Sequence, residues 1–181
     1  MSIALYKPNS KNAGCAFSFK TGVNKQQEPV VYISAIQQHS WDDKRKTGSF
    51  SGSRDDPEKN INLKFNEFEV GGMISAFSKR HEYSTFHTFD ENKTSIKLTP
   101  WDKQVRNGEK TITVPAFGIV FTRNGNQTFR IPIEPGEVQN LIEFFRFYLS
   151  ELYRHRRKQE IKNIQNSKRE QSTPTSAEAP F

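Results

Sequence analysis

Leu63-Lys-Phe-Asn-Glu-Phe-Glu-Val-Gly-Gly-Met-Ile-Ser-Ala-Phe77 and Ile131-Pro-Ile-Glu-Pro-Gly-Glu-Val-Gln-Asn-Leu-Ile-Glu-Phe-Phe145 align without a gap at an offset of 68 positions (131 − 63). Leu63/Ile131 and Phe65/Ile133 alternate as the buried face of a strand. Asn66/Glu134 stands where the strand ends, and Glu69/Glu137 follows three residues later, the spacing of a capping box. Val70/Val138, Met73/Leu141, Ile74/Ile142 and Phe77/Phe145 then recur at intervals of 3, 4 and 7, the apolar stripe of an amphipathic helix. A repeat this long is too coarse for a solenoid. It describes one domain made from two copies of a strands-then-helix unit.

Working outward from the two copies, each is preceded by a cluster of strands. Ahead of the first lie Gly14 to Lys20, which alternates, and Val30 to Gln37, rich in β-branched residues. The polar stretch 39–57 reads as a weak strand between loops, and Ile61 to Phe65 is the fourth strand before a helix over Glu67 to Lys79. In the second cluster Tyr83 to Phe89 and Lys93 to Trp101 flank Asp90-Glu91-Asn92, and Phe117 to Thr122 and Thr128 to Ile133 flank Asn124-Gly125, a hairpin signal. Pro135 suits the first turn of the second helix, whose stripe runs on through Tyr148, Leu149 and Leu152 and fades after Ile164. Gly71-Gly72 lies inside the first helix, where close packing explains it and a phosphate loop does not. Of the many aromatics, Phe17, Phe19, Phe117, Phe121, Phe129 and Phe145 are expected in the core.

These elements predict an α+β fold: two four-stranded antiparallel sheets, each followed by a helix, as a β4-α-β4-α pseudo-repeat. The expected organisation is an N-terminal arm over 1–11, the domain over 12–165, and a disordered tail over 166–181, whose Ser, Thr, Pro and Gln cannot build a core. Hydrophobic content of 33% and a mean hydropathy of −0.80 agree with polar segments outside one core.

A net charge of +7 favours an anionic partner, such as nucleic acid or an acidic surface. The single Cys15 excludes an internal disulfide and a Cys-rich metal site, and fits a reducing compartment. With no apolar run long enough for a membrane and no leader-like start at Met1, a cytoplasmic protein is expected. His39, His81, His87 and His155 are scattered, and Asp42-Asp43 and Asp55-Asp56 sit beside Lys or Arg in polar loops as surface charge. No metal site, cofactor or catalytic residue is expected, and a non-enzyme is.

Single-stranded nucleic acid calls for aromatic faces to stack on and cations along the backbone. The outward strand positions Lys20, Tyr32, Lys64, Phe86, Lys97 and Trp101 supply that mixture, and Trp41 with Lys44, Arg45 and Lys46 adds an aromatic beside three cations. In the second helix Phe144, Phe147 and Tyr148 spread the apolar arc beyond one face, so they are expected to pack against another subunit. The chain ends in Ser176-Ala-Glu-Ala-Pro-Phe181, where Glu178, Pro180 and Phe181 resemble the partner-docking tip of bacterial single-stranded-DNA-binding proteins.

The order of elements, with Asn12-Ala-Gly-Cys-Ala-Phe-Ser-Phe19, Phe68 to Phe77, Phe86-His-Thr-Phe89 and Ile131-Pro-Ile133, resembles the Whirly family over about residues 12 to 153. That family includes the plant Whirly single-stranded-DNA-binding proteins and the kinetoplastid mitochondrial RNA-binding proteins. The resemblance implies two perpendicular sheets, tetramers assembled through the helices, and single-strand binding. Without an import leader, a bacteriophage or bacterial member is expected, serving DNA replication or recombination. An RNA-binding or annealing protein on the same fold, and a transcription-cofactor or protein-interaction subunit, are the alternatives.

Overall fold

Both strand-to-helix junctions form as their residues dictate. At the first, the Asn66 side chain accepts from the backbone N–H of Phe68 and Glu69, and the Glu69 carboxylate accepts from the Asn66 N–H, a complete capping box. At the second, Glu137 accepts from the Glu134 N–H at 2.8 Å, while the Glu134 carboxylate is taken by Lys103 at 2.7 Å. These junctions open α1 (Glu67–Lys79) and α2 (Pro135–Gln171). The computed structural model describes residues 1–171.

The first sheet contains β1 (Ser2–Lys7), β2 (Cys15–Val23), β3 (Pro29–Gln37) and β6 (Asn60–Phe65), paired antiparallel in that order. The second contains β7 (Tyr83–Phe89), β8 (Asn92–Asn107), β9 (Lys110–Arg123) and β10 (Gln127–Ile133), again antiparallel in chain order. Between β3 and β6 a separate two-stranded ribbon forms from β4 (Ser40–Asp42) and β5 (Thr47–Ser49).

Three sequence expectations are corrected here. The polar 39–57 stretch supplies no strand to the first sheet; its two short strands pair with each other. The vacant edge is filled by residues expected as an N-terminal arm, because Ile3, Leu5 and Lys7 alternate inward on β1 and bury Leu5. At the other end the helix runs through 166–171, inside the stretch expected to be disordered, and the remainder of that expected tail lies outside the described residues.

The core is aromatic and joins the layers in pairs. Phe17 of the first sheet meets Phe121 of the second with ring centroids 5.0 Å apart. Phe77 of α1 packs edge-on against Phe117 of the second sheet at 5.0 Å, and Phe145 of α2 against Phe19 of the first at 6.1 Å. Such pairs add about 0.5–1.5 kcal/mol each beyond the area they bury. The six phenylalanines expected in the core are all buried. Close packing accounts for one of the two glycines of α1: a Cβ at Gly72 would stand 2.3 Å from the Tyr83 ring, so glycine there lets β7 close onto the helix, whereas a Cβ at Gly71 would meet open space.

Candidate nucleic-acid interface

Alternation along a strand sends every second side chain to the outer face, and antiparallel partners share a face. On the first sheet this sets Lys20, Tyr32 and Lys64 on one rung, with Lys20 opposite Tyr32 and Tyr32 opposite Lys64. An aromatic ring thus lies between two exposed ammonium groups, and neither lysine has an ion-pair partner among the described residues. A stacking face flanked by unpaired cations is what a polyanion carrying flat bases would contact.

The rung opens into a cleft of about 690 Å³ where β6 and β7 face each other, lined by Tyr32, Asn62, Lys64, Asn66, Phe86 and Phe89 among others. Sequence places Tyr32 and Phe86 far apart; the meeting of the two sheets brings them together. Phe86 and Phe89 are each 75% exposed, so two aromatic rings are open to a ligand at the cleft. Between them His87 turns inward, packs with its ring tilted against Phe65 at 4.9 Å and bonds Glu69 at 2.7 Å. Thr85 donates to the same carboxylate at 3.0 Å. This anchoring holds the backbone of β7 so that Phe86 is presented outward. Tyr83 packs behind, its hydroxyl pKa raised first by burial and then by the Glu69 charge. Beyond Leu63 and Phe89 the cleft continues as a smaller hollow of about 180 Å³, where the Arg123 guanidinium donates to the Pro57 carbonyl.

The other expected residues do not join this cleft. Lys97 shares the outer face of the second sheet with Phe86, one rung away, and is 3.4 Å from Glu82 in an exposed ion pair. Trp101 lies four residues further along β8 and is part exposed. Trp41 is on β4, its indole N–H donating to Asp43 at 3.1 Å. In the ribbon turn Arg45 and Lys46 pair with Asp42 and Asp43, while Lys44 has no such partner among the described residues. Asp42 also accepts from the Lys44 and Arg45 N–H groups, and Asp56 from the Glu58 N–H, so these carboxylates shape turns. Among the described residues no group of three or more His, Cys, Asp or Glu could hold a metal ion.

Sequence reading missed Phe89, Asn66 and Arg123 as cleft residues. Phe89 carries a legible signal, a large apolar residue ending a strand before a polar turn. β8 does not end at Trp101 as expected: β8 and β9 continue as a long hairpin in which Asn107 pairs with Lys110 and Gly108-Glu109 form the loop. Gly108, at the first loop position with a positive φ, was the available signal.

Two of the three residues assigned to a subunit interface are corrected. Phe144 and Tyr148 are core residues of this chain, 1% and 2% exposed. The helix lies against α1 as well as β3 and β9, so its buried arc is wider than a single packed face needs. Burial pushes the Tyr148 hydroxyl up to about 12. Only Phe147, at 46%, remains open. Glu178, Pro180 and Phe181 lie outside the described residues. Among the described residues no helix is long and apolar enough to cross a membrane.

No protein-family profile matches the chain, and no curated protein does. Solved structures do. WHY1 from Arabidopsis thaliana is similar over 91% of this chain and 92% of its own, at 15% identity and a TM-score of 0.53. WHY3 from Arabidopsis thaliana covers 84% of this chain and 88% of its own, at 14% identity and a TM-score of 0.53. The plant transcriptional regulator PBF-2 covers 87% of this chain and 85% of its own, at 13% identity and a TM-score of 0.54. At these identities the likeness is one of fold. Two four-stranded antiparallel sheets, each closed by a helix, give this chain a Whirly-like fold.

Proposed function

We propose that this chain is a sequence-tolerant single-stranded-DNA-binding protein that serves DNA replication or recombination and acts by binding alone. The observation that carries the reading is the convergence of Tyr32 and Lys64 from one sheet with Phe86 and Phe89 from the other on a single cleft. Stacking needs no particular base, and each stacked base is worth about 1–3 kcal/mol, so few contacts suffice. The net charge of +7 supplies the long-range attraction. The protein works as a homo-oligomer, a tetramer favoured, assembled through α2, and its C-terminal tip recruits a replication or repair enzyme.

The deciding experiment is a titration with single-stranded DNA, single-stranded RNA and duplex DNA of equal length. The expected order has single-stranded DNA tightest and duplex weakest, with Tyr32→Ala and Phe86→Ala each lowering single-strand affinity while the fold is kept. Tighter RNA binding would transfer the reading to an RNA-binding or annealing protein. Equal affinity for duplex, or indifference to both substitutions, would overturn it. Similarity to a transcriptional regulator favours, as second reading, a role in transcription, which promoter occupancy in cells would reveal.

A further inference from the structure

We propose that a second cavity, on the outer face of the first sheet, receives one nucleobase of the bound strand. The proposal rests on the single-strand reading above, and assigns a subsite that the cleft does not include. The cavity measures about 340 Å³, the lower end of the range for small-ligand sites, about 300–1,000 Å³. Its floor is built from small side chains on two neighbouring rungs: Ala4, Ser18 and Ser34 on one, Ala16 on the next. These short side chains lower the floor, and a flat group can lie on it.

The walls are chemically suited to a base. Tyr6, on β1, is 61% exposed and meets the ring of Phe50 edge-on at 5.9 Å, so two aromatic rings border the space. Arg54 stands at the rim, exposed and without a carboxylate partner among the described residues; the nearby Asp56 is paired with Lys59 at 3.6 Å. Asn62 accepts from the Ser34 hydroxyl at 2.7 Å, which leaves its NH₂ without a partner among the described residues and available to a base carbonyl. Aromatic rings, an amide donor and a free guanidinium together match a base with its phosphate.

Position supports the same occupant. Ser34 is two residues along β3 from Tyr32, about 7 Å, and both point outward. The cavity therefore continues the Lys20–Tyr32–Lys64 rung on one surface, and Asn62 lines both the cavity and the cleft. A strand leaving the cleft past Tyr32 passes over it.

Two variants and two probes test this. Ala4→Phe fills the cavity from an exposed edge-strand position, where a larger side chain does not crowd the core, and Phe50→Ala removes a wall. The probes are an oligothymidylate and the same backbone made wholly of abasic residues. Each variant is expected to weaken oligothymidylate binding about fivefold to a hundredfold and to leave abasic binding within about twofold, since the abasic chain binds by charge alone. Oligothymidylate affinity unchanged in Ala4→Phe, while Phe86→Ala still weakens it, would overturn the cavity assignment and leave the cleft reading intact. Equal losses on both probes would mean that the cavity contacts backbone, and would overturn it too. A wild-type protein that binds neither probe would remove both readings together.

Discussion

Glu69 and Glu137 hold the same place in the two halves of the chain, and each fastens the first strand of the other half. Glu69, capping α1, uses its second oxygen to hold Thr85 and His87 of β7. Glu137, in the first turn of α2, uses its second oxygen to hold Lys7 of β1 at 2.6 Å. The core repeats the exchange: Phe77 of α1 packs on Phe117 of the second sheet, and Phe145 of α2 on Phe19 of the first. The halves interlock, so neither buries its helix on its own sheet alone.

Interlocking has a measurable consequence. Residues 1–81 expressed alone are expected to lack a cooperative unfolding transition, and mixing them with residues 82–181 is expected to restore one. Within the intact chain, Glu69→Ala and Glu137→Ala are each expected to cost about 2 kcal/mol, the loss of a cap and of a charge-assisted hydrogen bond together. Urea midpoints measure this. A cooperative transition in the isolated first half would contradict the interlocked arrangement.

Midway along α2, Arg156 bonds Glu28 of the β2–β3 loop and Glu67 of α1, both at 2.8 Å. The Arg156 hydrogen bond keeps the Glu67 carboxyl below its ordinary value of 4.5. With the folded-state value depressed, the pairing contributes fully above the unfolded value and is lost as pH falls through the folded one. Since Arg156 is partly exposed, Arg156→Met is expected to cost only about 0.5–1 kcal/mol at neutral pH. That difference is expected to shrink as pH falls below 4.5 and to vanish once the Glu67 carboxyl is protonated in the folded protein. A difference that persists unchanged at pH 2 would show that packing of the arginine stem, and not its charge, holds the helix.

Lys20 and Lys64 flank Tyr32 and have no ion pair among the described residues, which leaves their ammonium groups to meet phosphates. Replacing both with Ala is expected to reduce the slope of log affinity against log salt by about 0.7 for each lost single-strand contact. Trp101→Ala and Trp41→Ala lie off the cleft, one on the long hairpin strand and one on the ribbon. Each is expected to weaken binding by about 1–3 kcal/mol if the strand extends that far. Loss in Tyr32→Ala and Phe86→Ala with none in Trp101→Ala and Trp41→Ala would confine the path to the cleft.

Along α2, Phe147, Tyr153, Ile161 and Ile164 are exposed and fall within an arc of about 120° at 100° per residue. Burying that stripe against a second copy follows from the proposed assembly. Sedimentation is expected to show an oligomer at micromolar concentration, and Phe147→Glu with Ile161→Glu is expected to yield a folded monomer. A wild-type monomer would remove α2 as an interface.

The sequence by itself determined whatever is written inside one element. Asn66 with Glu69, and Glu134 with Glu137, mark where a strand becomes a helix, because capping joins groups three residues apart. The periods of two and of 3.6 marked the buried faces, so Phe17, Phe121 and Phe145 were legible as core. Tertiary structure decided what depends on elements distant in the chain. Whether β1 or the polar ribbon completes the first sheet turns on which strand fits an open edge, and three inward residues on β1 are too few to announce it. Phe144 and Tyr148 are apolar on a wide arc in either outcome; only the approach of α1, β3 and β9 together buries them. Tyr32, Lys64 and Phe86 each read as outward residues, yet the cleft they share exists because β6 and β7 belong to different sheets that close on one core, a relation that no local period encodes.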